Sequence, residues 1–476
     1  MNVLAIDQGT SSTKAFVVSP EGNVLGEAEV PVRPLATADG GVEQDPEELW
    51  DSVLQAGTKA LAEAGEPVTA LGLANQGETV LAWDRETGRP LSRAINWQDR
   101  RAAGICDRMS ESAAELEAIT GLPLDPYFVA PKISWLRENI TTEGVATTSD
   151  SWLLNRLCGA FVTDAATASR WLLLDLDGAG WSPAACQAFG IDAESLPAPV
   201  SCAGVVGETD VFGESLPVTG LAVDQQAALF AEGCHEAGEA KCTYGTGAFL
   251  LTTVGSSPVR SRSGLAGCVA WRLGDELTYC LDGQVYTVGS AVSWLTDVGL
   301  ISGPADLDAL GGSVSSPEGV AFVPGLAGLA APFWRPSARG SFTGLSLATT
   351  RSHIVRSVVE GIAAGVAWLA KAAETDLGHA LERLRVDGGL TRSRLLMQIQ
   401  ADLLGVPVEV YSSPNATGLG AAAFARLGNG AASSAKEAIG EWTPAAVFEP
   451  SISADEAQTR LENWRRTAEA TVGLSD

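Results

Sequence analysis

The stretch VLAIDQGTSSTKAFVV, residues 3–18, is the part of the chain around which the rest is organised. Val3 to Ile6 and Ala15 to Val18 are apolar runs short enough for buried strands. Between them Asp7-Gln8-Gly9-Thr10-Ser11-Ser12-Thr13-Lys14 brings together a turn glycine, a row of hydroxyls, one acid and one base. Two strands joined by such a turn bring backbone N–H groups, hydroxyls and a cation to one point, which suits an anion such as phosphate. Asp7, at the tip of the first strand, could hold a Mg²⁺ ion through its waters. The same residues read equally well as a surface hairpin with a polar turn.

Composition narrows the classes. At 476 residues the chain is too long for one ordinary domain, and its 46% apolar residues are enough for two cores. Acids outnumber bases 58 to 31, a net charge of −27, which repels a nucleic-acid backbone. A small nucleotide could bind only where local donors and Mg²⁺ overcome that field. The opening MNVLAIDQGT has no basic region and does not read as a signal peptide. Glycine, proline or charge interrupts every apolar run, so no membrane span is expected. Eight scattered cysteines with no C-x-x-C pair read as free thiols in a reducing cytosol, and three unpaired histidines do not suit zinc.

Outward from the hairpin, Val24–Val32 is expected to add a third antiparallel strand after the turn Pro20-Glu21-Gly22-Asn23. Asp45 as N-cap, Pro46 and the acids Glu47 and Glu48 announce a helix whose buried face carries Leu49, Trp50, Val53, Leu54 and Leu61. Strands at 68–74 and 80–83 flank Asn75-Gln76-Gly77-Glu78-Thr79. The order of elements is that of an α/β protein. A mainly helical middle follows, with an irregular loop at Leu122–Tyr127 and a helix starting at Lys132. Pro217–Val223 is a buried strand ending at Asp224-Gln225-Gln226, where Asp224 reads either as a catalytic carboxylate or as an ordinary helix N-cap.

Ala240–Val254, AKCTYGTGAFLLTTV, then repeats the pattern of strand, glycine–threonine turn and strand. We read this as an internal duplication, two related domains whose turns face each other across a cleft. Leu384–Asp387 is a further strand, with Gly388 and Gly389 letting backbone approach a flat adenosine or merely making a tight turn. Helices are expected at His353–Ala373, Leu395–Leu404 and Asp455–Val472, the last packed on the outside. No G-x-x-x-x-G-K-[ST] occurs, and Gly245-Thr246-Gly247 lacks the third glycine of a dinucleotide fingerprint. What remains is phosphoryl transfer between two domains, which is mostly positioning and charge stabilisation. Asp7 for the metal, Thr10–Ser12 with Thr246 and Gly247 for phosphates, and Asp224 as base could fill its roles.

The segments AIDQGTSSTKA, GLANQGETVLAWDRETGRPL, AINWQDRR, TGLPLDPYF, AVDQQAALF, TYGTGAF, GLAAPFWRPSARG and RVDGGLTRSRLLMQIQADLLG fall in order from residue 5 to about 425. Together they resemble the FGGY family of carbohydrate kinases, and within it the glycerol kinases. The resemblance implies an α/β, two-domain actin-like ATPase fold of duplicated ribonuclease H-like domains with the active site in the interdomain cleft. It implies an N-terminal domain over 1–231 for the acceptor and first phosphate turn, and a C-terminal domain over 232–476 for the nucleotide. The implied reaction is ATP-dependent phosphorylation of a terminal hydroxyl of a small polyol or open-chain sugar. Asp224 would be the general base, Glu78, Tyr127 and Gln225 would bind acceptor hydroxyls, and Trp97 and Phe249 would pack on its carbons. Thr10, Ser11, Ser12, Lys14, Thr246, Gly247, Gly289 and Gly389 would line the ATP site, with Asp7 in the Mg²⁺ shell. The implied partner is a small-molecule polyol or sugar in the cytoplasm, not nucleic acid or a membrane, with a homodimer left open.

The departures concern the acceptor most. Gly77 stands where glycerol kinases carry an arginine, so a donor fork is lost and volume opens, which suits a four- or five-carbon polyol or ketose of the erythritol or xylulose type. Lys14 replaces an arginine, and Ser293 and Ser393 replace a Gln and an Asn, which loosens recognition of the base. His235 reads as a plain surface residue, and no histidine lies at 210–216, where some glycerol kinases carry a regulatory one. An actin-like ATPase or a sugar-sensing kinase homologue is the non-kinase alternative. The polar set Glu78, Trp97, Tyr127 and Asp224 argues against both.

Overall fold

The computed structural model describes residues 1–474. Its centre is a sheet of thirteen strands, labelled here in chain order: β1 Asn2–Gln8, β2 Ser12–Val18, β3 Val24–Pro31, β4 Val68–Asn75, β5 Ala203–Thr209, β6 Leu216–Val223, β7 Ala240–Tyr244, β8 Ala248–Gly255, β9 Ala266–Leu273, β10 Glu276–Val285, β11 Leu384–Asp387, β12 Val408–Val410 and β13 Ala446–Phe448. In the first half β3, β2 and β1 form an antiparallel meander, and β4 and β6 continue it in parallel from β1. In the second half β10, β8 and β7 are antiparallel, and β11 and β12 continue in parallel from β7. The strand order is the same in both halves, so the echo between residues 5–18 and 240–254 reflects one topology used twice. The two halves of the sheet join where Ala203 on β5 pairs with Leu273 on β9.

The opening hairpin is tighter than its sequence suggests. Asp7 pairs with Lys14 and Gln8 with Thr13 in the ladder, which leaves Gly9-Thr10-Ser11 as the turn, closed by Gly9 N–H on the Ser12 carbonyl at 3.0 Å. Helix α1, Pro46–Ala64, starts as expected, with Asp45 extended and its carboxylate accepting from Glu47 N–H at 3.0 Å. The helix expected at Lys132 begins earlier, at Val129 after Phe128, because Pro131 is tolerated in a first turn.

Four further helices position the site: α2 Asp224–Ala231, α3 Arg351–Leu377, α4 Arg394–Leu404 and α5 Ala416–Gly428. Helix α3 is long and apolar enough to span a membrane, contrary to the sequence expectation, but most of it is buried. Its composition follows from packing against α4 and the second sheet. The outer helix α6, Ala454–Gly473, buries Ala457, Leu461 and Trp464 on one side. All eight cysteines are free thiols. His235 is not the surface residue expected: its Nε2 lies 2.9 Å from the Phe230 carbonyl and its ring packs 4.7 Å from Phe230.

Helix α5 belongs to the second half by sequence yet lies on the first half's sheet and crosses α2. The crossing is tight because it is made of glycine and alanine. A Cβ on Gly420 would collide with the Ala227 carbonyl, and Cβ atoms on Gly72 and Gly220 would strike the α5 backbone at Ala421 and Ala425. Gly420→Ala is therefore an overpacking substitution, expected to cost about 1–3 kcal/mol. A melting temperature several degrees below wild type checks it, and an unchanged one contradicts the tight crossing.

Candidate active site

Each of the two hairpin turns is held by a different device. Under Gly9-Thr10-Ser11 lies a buried amide network. Gln44 donates to the Thr10 carbonyl at 2.9 Å, Gln76 to Gln44 at 2.9 Å, and Asn96 to Gln44 and Gln76 at 3.0 and 3.1 Å. Gln76 also reaches Gln8 at 3.3 Å. This fastens the turn to the segments that carry Glu78 and Trp97, and Trp97 Nε1 donates to Thr10 Oγ1 at 2.8 Å. The second turn, Gly245-Thr246-Gly247, is closed by Gly245 N–H on the Gly247 carbonyl at 2.9 Å. Its carbonyls accept from the start of the helix Gly289–Asp297, through Gly289 N–H at 3.0 Å and Ser290 N–H at 3.2 Å. Gly289 has to lack a side chain, since a Cβ would strike the Gly245 carbonyl. Gly388, at φ +93°, meets the Tyr244 backbone in the same way, whereas the space around Gly389 is open.

The turns open on one cavity of about 210 Å³, lined on the first side by Thr10, Ser11, Gly77, Glu78, Trp97 and Tyr127. Asp224, Gln225, Thr243, Gly245, Thr246 and Phe249 complete it. That volume is below the range of drug-sized pockets, about 300–1,000 Å³, and suits a small polar molecule. Trp97 makes an aromatic wall, edge-on to Tyr127 at 6.0 Å and to Phe249 at 5.9 Å between ring centroids. Glu78 is a non-glycine residue at φ +57°, a strained conformation that marks functional sites when the surroundings impose it. Arg170 holds its side chain, with Nε 2.6 Å from Glu78 Oε1.

Asp224 is the first residue of α2 rather than its cap. Val223 occupies the cap position without a side-chain bond, and Asp224 Oδ1 accepts only from the adjacent Gln225 N–H at 2.7 Å. The carboxylate is thus free to face the cavity. Burial, then the nearby Asp7 and Glu78 charges, push its pKa to about 7. Asp7 is raised to about 6, mainly by burial, with Lys14 opposing. Its carboxylate accepts no hydrogen bond among the described residues. No group of three metal-ligating side chains lies together among the described residues. A donor set of one carboxylate fits a hydrated divalent ion held mostly by phosphates and water.

Of the residues singled out by sequence, Thr10, Ser11, Glu78, Trp97, Tyr127, Asp224, Gln225, Thr246 and Phe249 line the cavity. Gly247 is part of the second turn, Gly289 packs on it, and Gly389 follows Gly388, which meets the Tyr244 backbone; none of the three lines the cavity. Lys14 sits opposite Asp7, and Ser12 is turned away, donating to Glu29 at 2.6 Å. Ser393 caps α4 and bonds Asp308. Sequence reasoning missed Arg170, Lys132 and Lys241, three buried cations behind the cavity. Lys241 donates to Gln225 Oε1 at 2.6 Å and Thr243 Oγ1 at 2.8 Å. Lys132 donates to the Tyr127 carbonyl, and burial lowers its pKa to about 7. A lysine between Ala240 and Cys242 in an apolar strand was a legible signal; Arg170 gave none.

Comparison with known proteins adds to this geometry. The family model described as FGGY family of carbohydrate kinases, N-terminal domain, matches residues 2–231, and its C-terminal domain counterpart matches 240–428. The chain is 43% identical to a glycerol kinase of Alkalilimnicola ehrlichii, over 99% of this chain and 98% of that one. It is 41% identical to one from Thermus brockianus, over 99% and 98% of the two chains. A crystal structure of Plasmodium falciparum glycerol kinase with ADP superposes with a TM-score of 0.90 at 32% identity, covering 99% of this chain and 98% of that one. A ligand-bound xylulose kinase from Lactobacillus acidophilus shares the fold, with a TM-score of 0.90 at 21% identity over 100% and 98% of the chains.

The raised carboxylates have a thermodynamic consequence. Asp7 and Asp224 titrate near 6 and 7 when folded, against about 3.9 in an unfolded chain. The folded protein holds protons the unfolded chain has released, so their contribution to stability is complete below about pH 4 and is lost as pH rises through about 7. Asp224→Asn, which stays neutral, should lose less melting temperature than wild type between about pH 5 and about pH 8. Parallel curves would show that Asp224 is not desolvated.

Proposed function

The chain belongs to the FGGY family of carbohydrate kinases and is an ATP-dependent kinase of glycerol-like substrates, and on that footing we propose how its residues divide the work. The carrying observation is the single cavity in which Asp224 lies with the Thr10–Ser11 and Gly245–Thr246 turns and the polar pair Glu78 and Gln225. Asp224 accepts the proton of the attacking primary hydroxyl; a base with pKa near the working pH serves this best. Glu78, Gln225 and Tyr127 orient the remaining hydroxyls, while Trp97 and Phe249 cover the carbons. Thr10, Ser11, Thr246 and the backbone of both turns donate to phosphate oxygens, with Lys14, Gly247, Gly289 and Gly389 completing the nucleotide side and Ser12, bonded to Glu29, outside it. Asp7 would hold the water shell of Mg²⁺, which supplies charge neutralisation on the phosphates. We divide these tasks between domains at 1–231 and 232–476 and place the protein in the cytoplasm, with neither nucleic acid nor membrane as partner.

A second reading concerns acceptor length. Gly77 lines the cavity without a side chain, and its Cβ position lies 2.9 Å from Val223 Cγ2, so even a methyl group would crowd that wall. The missing donor fork, rather than room at Gly77 itself, is what supports a four- or five-carbon polyol or ketose. Steady-state kinetics with glycerol, erythritol, threitol, ribitol and xylulose decide it, and a clear preference for glycerol rejects the longer acceptor.

In a coupled ADP-release assay, Asp224→Asn should lower acceptor-dependent turnover by about a hundredfold or more. In wild type, kcat/KM for the acceptor should rise with pH through about 7, as Asp224 loses its proton. Full activity in Asp224→Asn would reject this assignment of the base.

A further inference from the structure

Asp282 is a buried acid in the middle of β10, opposite Leu251 on β8 and Ala266 on β9. It does not line the cavity. Its Oδ2 lies 2.8 Å from Arg170 Nη1, and the same guanidinium holds Glu78 through Nε at 2.6 Å. All three side chains are almost excluded from water. The guanidinium also lies 5.6 Å from the Tyr127 ring centroid and 5.3 Å from that of Phe128. Arg170 thus bridges the acid of the first half that faces the cavity to an acid of the second half that does not.

Stability alone is a poor reason for such a triad. Desolvating three charges costs about as much as their attraction returns, and apolar replacements of such groups are often neutral or better. The strand that carries Asp282 points to another reason. Three residues on, β10 ends at Val285, whose carbonyl, with that of Tyr286, lies against Gly247 of the second turn. One rigid strand therefore carries both the anchor of Glu78 and the floor of the second phosphate turn. The distance between acceptor and phosphate is then set within a single element, and small errors in it are costly to transfer.

We propose that Arg170 and Asp282 are positioning residues for the acceptor, fixing the Glu78 carboxylate relative to the second phosphate turn. The guanidinium holds Glu78 through Oε1, which leaves Oε2 to accept from acceptor hydroxyls. Removing the Asp282 charge lets Arg170 draw Glu78 toward itself and frees it from β10. The inference rests on Glu78 being an acceptor-binding residue.

The test is steady-state kinetics of the full-length Asp282→Asn and Arg170→Lys variants, with glycerol and ATP varied in turn, alongside melting temperature. Asparagine keeps the shape of Asp282 and can still accept from Gln284, which now donates at 2.5 Å. Both variants should raise the glycerol KM by about tenfold and leave the ATP KM within about twofold, a split that general loosening would not produce. Wild-type glycerol KM in either folded variant, or an equal rise in both KM values with a falling melting temperature, overturns the proposal. If one variant fails to fold, the other decides. A wild-type protein with no ADP release dependent on glycerol, erythritol, threitol, ribitol or xylulose would overturn the functional reading, and this inference with it.

Discussion

The crossing of α2 and α5 is the constraint on which the rest of the molecule depends. Gly420 against the Ala227 carbonyl, and α5 against Gly72 and Gly220, leave no room for a single Cβ. Close approach of backbones gives a stiff joint, because dispersion contacts are dense and no long side chain can rearrange. The joint acts on both sides of the cleft. Helix α2 begins at Asp224, and Thr417 on α5 donates to the Asp224 carbonyl at 3.5 Å. Seating one helix on the other thus places the proposed base between the two turns.

Around that joint the electrostatics run against the average of the chain. The net charge of −27 disfavours a nucleotide, so the site needs donors that the bulk does not provide. It has them in the backbone of two turns, in the hydroxyls of Thr10, Ser11 and Thr246, and in buried cations set behind the cavity. Lys241, Arg170 and Lys132 face inward and are tied to Gln225, Glu78 and Tyr127 respectively. They orient the polar wall instead of presenting charge to solvent. Burial raises the pKa of both Asp7 and Asp224, with the Asp7 and Glu78 charges adding at Asp224, and Asp387 and Glu29 adding at Asp7 against Lys14. A cation beside Asp7 would offset the Asp7 charge felt at Asp224, which links metal and base without contact between them.

Much of this was legible in the residues. The hairpin at 3–18, its echo at 240–254, the capped helix at 46 and the strand running into Asp224 follow from periodicity and turn chemistry, and all are present. The repeated strand order follows from the duplication. Family resemblance supplied the tasks of Glu78, Tyr127 and Trp97, which taken alone read as a surface acid and two core aromatics. Other features lay beyond the sequence because they depend on tertiary encounters. Nothing local announces that Arg170, in a run of small residues, meets Glu78 and Asp282 from elsewhere in the chain. The amide network of Gln8, Gln44, Gln76 and Asn96 is likewise dispersed. His235 was misread because its packing partners, Phe230 and Trp271, sit on separate elements. Helix α3 shows the converse, a hydropathy pattern whose meaning is set by what surrounds it.

The central claim is that the two turns and Asp224 act on one acceptor hydroxyl. Phosphorus NMR of the products from ATP and glycerol tests it most directly. The account predicts ADP and a phosphomonoester on a primary carbon in equal amounts, with no inorganic phosphate beyond the enzyme-free control. ADP formed with inorganic phosphate, at the same rate with and without glycerol, would contradict it.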